Sequence, residues 1–409
     1  MPQRIILVIS QVYVPDPASV GQHMADAAAE LVRRGYRVIV YASDRGYDDP
    51  ACRYPRRESI DGVAVRRIPL SHFGKRRILW RLFGAMLFLL QVIVRAMFLR
   101  RLDGILVSTS PPIAPLAALV ISVARRVPIT YWAMDINPDQ AITLGHTRPG
   151  SLPVRLFNVL NRAILRRARR VVALDRYMAA RLQAKYPLGD RLVVMPPWPH
   201  ESSLAPVAHE DNPFRQRHAL QGKFVFMYSG NMSRAHPLDT FLDATLRLQH
   251  RPEAVFLFIG GGLAKQHVEE FIAQHRPANV RLLPYQPLEE LRYSLSAADV
   301  HLVSMGNAMV GIVHPCKLYG AMACARPSLL VGPRESHLGE LIDRYRMGWQ
   351  VDQGDVAGLV ALIERILAGD KAELAAMGGR ARAAIDSELG QRMLCGRFCD
   401  EVEKTTARI

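Results

Sequence analysis

The chain is short of acid. Its 409 residues hold 53 lysines and arginines against 37 aspartates and glutamates, a formal net charge of +16. A surface of that sign seeks polyanions: nucleic acid, anionic lipid or a phosphorylated ligand. Nucleic acid has no specific support, because there is no RNP-like aromatic motif, no zinc-finger spacing and no long lysine or arginine tract. Cysteine is scarce too. Five are present, at Cys52, Cys316, Cys324, Cys395 and Cys399, an odd and widely spaced set that excludes a disulfide framework and fits a reducing compartment. Cys395 and Cys399 lie one helical turn apart, and with no completing ligands they read as a helical face rather than half a zinc site. There is no D-x-D motif on a suitable turn, so no essential metal is expected. The first apolar run, RIILVIS (4–10), is too short for a signal peptide and reads as a buried strand.

The chain does contain apolar runs of strand length alternating with helical patterns. RIILVIS is followed by a loop bearing Pro15, Pro17 and Gly21. Next come a helical stretch ending at Gly35 and the strand RVIVYAS (37–43). This opens a parallel, doubly wound sheet. Further strands are expected in 104–109, 127–134, 169–174 and 191–195. The segment PPWPHESSLAPVAHEDNP (196–213) is rich in proline and polar residues, and a linker is expected over 201–215. The alternation then restarts with KFVFMYSG (223–230), AVFLFIGGG (254–262), NVRLLPY (279–285), DVHLVSM (299–305) and RPSLLVG (326–332). The expected division is an N-terminal domain over 1–200, a C-terminal domain over 216–388, and a last helix over 389–409 that packs back on the first domain.

One stretch departs from that pattern. Residues 79–99, LWRLFGAMLFLLQVIVRAMFL, are long enough to span a bilayer and are collared by Lys75, Arg76, Arg77, Arg100 and Arg101. Arg81, Gln91 and Arg95 interrupt them, and charge at a membrane centre is costly. An in-plane amphipathic helix on an anionic surface is therefore expected, with a buried crossover helix as the alternative.

Strands that end in glycine, helix N-termini and isolated cations are the means by which proteins hold a diphosphate. Gly230 ends one strand and is followed by NMSRAHP, which brings Arg234 and His236. Gly260, Gly261 and Gly262 end the next. In GNAMVGIVHPCKLYGAMACARPSLLV (306–331), a glycine-bearing loop leads through His314 and Pro315 into a helix. Pro315 is expected in its first turn. Lys317 there opposes the helix dipole unless an anion sits beside it, a local conflict that points to function.

Taken in order, QVYVPDPASVGQHM with its following L-x-x-R-G-Y, STSPP (108–112), WAMDINPD (132–139), MPPWPH (195–200), YSGNMSRAHPLDTF (228–241) and HPCKLYGAMACARP (314–327) resemble the family-4 retaining glycosyltransferases. The closest likeness is to the bacterial branch that builds surface polysaccharides on lipid carriers. The resemblance covers nearly the whole chain and implies the GT-B fold, α/β, with two facing Rossmann-like domains and a cleft between them. It implies a nucleotide-sugar donor, UDP-linked by family habit, as a co-substrate with no separate cofactor. The acceptor would be a polyprenyl-diphosphate-linked saccharide at the inner face of the cell membrane, and the sugar a hexosyl or N-acetylhexosaminyl group. Arg234 and Lys317 would stabilise the departing diphosphate. Gly230, Asn231, His236, Gly261, Tyr285, Gly311, His314 and Tyr319 would bind the donor. Gly21, on a loop, with Gln22, His23 and Asp139, would meet the acceptor. Asp135, after its strand, would orient or deprotonate the acceptor hydroxyl, or else cap a helix. Many members carry a pair of glutamates where this chain has Ile312 and Gly320, so Tyr319 and the 306–313 backbone are the candidate substitutes. A GT-B-like sugar-nucleotide epimerase and a non-catalytic membrane-bound scaffold are the competing readings.

Overall fold

The computed structural model describes residues 3–16, 18–46, 51–70, 78–200 and 205–407. Pro17, the collar residues Lys75, Arg76 and Arg77, and the linker residues 201–204 lie outside them. Two compact units are present, one of residues 1–197 with 392–409 and the other of residues 198–391.

The first unit carries the strands β1 (Ile5–Ile9), β2 (Arg37–Ser43), β3 (Arg57–Ile60), β4 (Val63–Ile68), β5 (Gly104–Ser108), β6 (Ile129–Ala133), β7 (Arg170–Ala173) and β8 (Leu192–Val194). Its helices are α1 (Ser19–Arg33), α2 (Ile78–Met97), α3 (Ala114–Arg125), α4 (Asp139–Thr143), α5 (Leu152–Arg167) and α6 (Arg176–Lys185). The sheet order is β3-β4-β2-β1-β5-β6-β7-β8, parallel except for the β3–β4 hairpin at one edge. β1 pairs with β2 from Ile5 opposite Arg37 and with β5 from Ile6 opposite Gly104. The winding therefore reverses between β1 and β5, the place where doubly wound sheets put ligands. α1 stops where glycine allows it: Gly35 sits at φ +91° and the Tyr36 N–H donates to the Leu31 carbonyl at 3.0 Å.

The second unit holds α7 (Pro213–Arg217), β9 (Phe224–Ser229), α8 (Asp239–Arg247), β10 (Ala254–Ile259), α9 (Lys265–His275), β11 (Val280–Leu283), α10 (Leu291–Ser296) and β12 (Val300–Ser304). It continues with α11 (Lys317–Ala323), β13 (Ser328–Val331), α12 (His337–Tyr345), β14 (Gly348–Val351), α13 (Val356–Ala368) and α14 (Lys371–Ala384). All six strands are parallel, in the order β11-β10-β9-β12-β13-β14, so the winding reverses between β9 and β12. A short π-helical turn, Ile385–Leu389, leads to α15 (Gln391–Thr406), which belongs to the first unit.

Three expectations are corrected. The end of the supposed linker is folded into the second unit. Val207 N–H donates to Ser296 Oγ at 3.1 Å, and the Asn212 carboxamide oxygen caps α7 while its Nδ2 donates to the Tyr293 carbonyl. Gly21 lies in the first turn of α1, not on a loop, and glycine is required there because a Cβ would stand 3.1 Å from the Tyr13 backbone. Pro315 precedes the N-cap residue Cys316 and so falls outside the first turn of α11.

α2 is the crossover from β4 to β5, with Phe88 and Val92 fully buried beneath it and Leu90 and Val94 exposed on its other face. Among the described residues, no helix is long and apolar enough to cross a membrane.

Candidate functional site

The switch point of the second sheet gathers the loops after β9, β10 and β12. The first two are laced together. Gly230 N–H donates to the Ile259 carbonyl at 2.9 Å, Met232 N–H to Gly261 at 2.7 Å, and Ala264 N–H to Met232 at 3.1 Å. A Cβ on Gly260, which sits at φ +141°, would overlap the Gly230 carbonyl oxygen. This glycine serves loop-on-loop packing. Gly261 faces the ring edge of Tyr285, whose Cε2 would stand 2.9 Å from a Cβ there. Gly260→Ala is expected to combine about 1–3 kcal/mol of backbone strain with that overlap. The measurable result is a lower Tm together with lost nucleotide binding; retention of both would contradict the packing.

Lys317 opens α11, and its side chain lies over Gly230: the Lys317 Cε would be 2.9 Å from a Cβ at that position. Its ammonium stands 5.2 Å from the centroid of the Tyr228 ring, while the Tyr228 hydroxyl donates to the Asn231 carbonyl at 2.8 Å. No carboxylate pairs with Lys317 among the described residues, and burial lowers its pKa to about 8. A half-buried cation held over a glycine turn without a counter-ion is suited to meeting an anion. His236 stands in the same field. Its Nδ1 donates to the Ser304 carbonyl at 3.1 Å, and burial with the nearby lysine holds its pKa well below the usual histidine value. It is a neutral wall, contributing no charge. Arg234, two residues earlier, is exposed and makes no hydrogen bond or ion pair among the described residues. The loops thus bring one half-buried and one exposed cation to the ends of β9 and β12.

The loop after β12 turns at Gly306, whose N–H donates to Ala235 at 3.0 Å, and again at Gly311, at φ +69°. Ile312 is buried, so its side chain adds only apolar surface. His314 Nε2 and the Tyr319 hydroxyl are 2.9 Å apart, and His314 stacks on His337 with ring centroids 3.8 Å apart. His314 and Tyr319 therefore satisfy each other and shape the loop. Sequence reasoning missed Tyr228 and His337. Tyr228 could have been read from the sequence, since it precedes Gly230 by two positions at the end of the same apolar run.

In the first unit, Asp135 follows β6, next to the end of β5. Its backbone N–H donates to Thr109 Oγ1 at 3.3 Å. It caps no helix, because Pro138 is the N-cap of α4. Burial raises its carboxyl to about 6, and no cation pairs with it among the described residues. That is the range useful to a general base near neutrality. The other acceptor candidates have structural engagements. Asp139 is held by Lys185 Nζ at 2.6 Å. His23 is buried in α1, with Nδ1 2.7 Å from the Ser19 carbonyl and its ring edge-on to Trp132. Gln22 lies in the same helix.

Comparison with known proteins bears on the family and the fold. Residues 19–198 match the model of the "Glycosyl transferase 4-like domain", and residues 223–369 that of "Glycosyl transferases group 1". The chain is 29% identical over 398 residues to "Probable glycosyltransferase WbjE" of Pseudomonas aeruginosa, with 96% of each covered. It is 25% identical over 381 residues to "Putative colanic acid biosynthesis glycosyl transferase WcaI" of Escherichia coli K12, covering 88% of this chain and 92% of that one. Among solved structures, Anabaena HepE in complex with UDP-glucose superposes with a TM-score of 0.73 at 15% identity, over 98% of this chain and 99% of that chain. Two parallel Rossmann-like sheets and both domain models together place this chain in the family-4 glycosyltransferases of GT-B fold, among enzymes of polysaccharide biosynthesis.

Proposed function

We propose that the enzyme moves a hexosyl or N-acetylhexosaminyl group from a UDP-linked donor to a lipid-linked saccharide, with retention, as a peripheral protein on the inner face of the cell membrane. The observation that carries the donor half is Lys317, laid over Gly230 without an acidic partner. Lys317 and Arg234 neutralise the charge that builds on the departing diphosphate, the role a metal ion fills elsewhere. UDP is favoured by the UDP-glucose bound in the HepE structure, and Tyr285 beside Gly261 offers a ring for the base. The Gly311 loop, shaped by His314 and Tyr319, bounds the sugar. Retention is the outcome that the resemblance implies. Asp135 takes the proton of the acceptor hydroxyl.

The free enzyme should then show a bell-shaped pH profile. kcat/KM rises as Asp135 loses its proton near 6 and falls as Lys317 loses its own near 8. Asp135→Asn is expected to abolish the rising limb and lower the rate about 10²–10⁴-fold. The assay follows label from a UDP-sugar into solvent-extractable lipid. Label recovered only as free sugar or in an epimerised nucleotide would overturn the acceptor assignment, and a rising limb intact in Asp135→Asn would remove the aspartate from the chemistry.

A further inference from the structure

α2, α3 and α5 each connect strands in the same direction across the first sheet, from β4 to β5, β5 to β6 and β6 to β7. Right-handed crossovers place all three on one face of it. Arginines lace them side by side. Arg125 of α3 donates to the carbonyls of Ala96, Met97 and Leu99 at the end of α2, at 3.0, 2.8 and 2.7 Å. Arg167 of α5 donates to Ser122 of α3 at 3.1 Å.

The outer surface of this layer is apolar. On α2 and just beyond it, Met86, Leu90, Val94 and Phe98 recur every four residues and are exposed by 49, 58, 47 and 82%. Val123 of α3 continues the surface at 63%, and Leu152, Leu156 and Val159 of α5 extend it at 69, 61 and 64%. Exposed apolar surface spread over three neighbouring helices marks a binding face. The described polar residues within α2 do not interrupt it. Gln91 Nε2 donates to the Pro69 carbonyl at 2.8 Å, and Arg95 donates to Gln91 Oε1 at 3.1 Å.

Charge selects the occupant. The three helices contain no acidic residue, and hold two, one and four arginines respectively. Arg155, Arg162 and Arg166 share the exposed face of α5 with its apolar residues and have no acidic partner among the described residues. A second copy docked face to face would set arginine against arginine. An anionic bilayer offers hydrocarbon to the apolar residues and phosphate to the guanidiniums.

We propose that α2, α3 and α5 together form one platform that lies flat on an anionic lipid bilayer, with the α5 arginines at its headgroups. The proposal deepens the membrane placement given above, and rests on it, by replacing a single anchoring helix with a three-helix surface.

The test is sedimentation of the full chain with vesicles of phosphatidylcholine alone and of phosphatidylcholine with phosphatidylglycerol. Three variants are compared: Leu90→Glu with Val94→Glu; Val123→Glu with Leu156→Glu; and Arg155→Gln with Arg162→Gln and Arg166→Gln. All the substituted side chains are exposed, and calorimetric binding of UDP reports that the donor unit is intact. Wild type should bind the anionic vesicles well above the neutral ones. The arginine variant should lose on the order of a hundredfold, at roughly fivefold per arginine, and each glutamate pair tenfold or more, with UDP binding unchanged. Wild-type binding by the Val123→Glu/Leu156→Glu variant overturns the platform and leaves α2 alone. Absent or charge-independent vesicle binding also overturns it, as does a soluble dimer dispersed by Leu156→Glu. Vesicle binding without UDP binding by the wild type leaves the platform standing and sinks the donor assignment instead.

Discussion

Lys317→Met lowers kcat about 10²–10³-fold while leaving Tm unchanged or raised. The first part follows from the cost of removing one preorganised donor from developing negative charge, which is typically of that size. The second follows from the geometry of the free enzyme. Lys317 is half-buried, its pKa lowered to about 8, and no carboxylate among the described residues compensates it. Methionine keeps the aliphatic chain that packs over Gly230 and removes a cation that folding must desolvate. Activity and stability then move in opposite directions, as expected where a strained group is retained for function. Lys317→Arg should not rescue. The Lys317 Cγ, Cδ and Cε lie against Gly230, and a longer side chain ending in a planar fork would carry its charge beyond the place the ammonium holds. Steady-state kinetics with UDP-sugar, UDP calorimetry and thermal melts of the two variants decide the matter. Loss of less than about threefold in kcat, or a Tm that falls with activity, would show that the lysine holds the loop rather than the diphosphate.

The same lysine shows how much was legible in advance. A cation in the first turn of a helix contradicts the dipole, and that conflict can be read without coordinates. The apolar strands were equally plain, because parallel strands are buried on both faces and leave continuous apolar runs. Edge elements hide from that reading. β3, RESI, is half exposed and polar, and β14 is four residues long. The Asp61–Gly62 turn between β3 and β4 was the available signal for the hairpin, with both residues at positive φ. Partners distant in sequence were out of reach. Asp139 looked free for an acceptor until folding brought Lys185 to it from 46 positions away. Gly21 looked like a loop glycine, whereas its need comes from the Tyr13 backbone passing α1. The glycines after β10 pointed to a ligand, yet Gly260 is required first by the neighbouring loop. A glycine-rich strand end therefore has a packing cause here that the ligand reading did not include.

Phe398→Ala should be the most destabilising of the single substitutions considered, by about 3–5 kcal/mol. α15 returns from the second unit to complete the core of the first, and Phe398 is fully buried there. Its ring centroid lies 4.1 Å from that of Trp132 on β6, and Trp132 is in turn met edge-on by His23 at 5.9 Å. Alanine would leave a cavity under Trp132, three residues before Asp135. Ion pairs also hold α15: Arg34, the C-cap of α1, donates to Asp400 at 2.7 Å, to Glu403 at 2.8 Å and to the Gly396 carbonyl at 2.9 Å. Asp400 and Glu403 remain accessible to water, so Arg34→Ala lets them resolvate and should cost about 1–2 kcal/mol. In thermal melts the first substitution is then expected to shift Tm by roughly 10 °C, and the second by a few degrees. The reverse order would mean that charge, not buried aromatic surface, fastens the helix. If the order holds, Phe398→Ala should also move the rising limb of the pH profile to lower pH. The packing that raises the Asp135 carboxyl to about 6 is continuous with β6, and loosening it lets water reach that carboxyl.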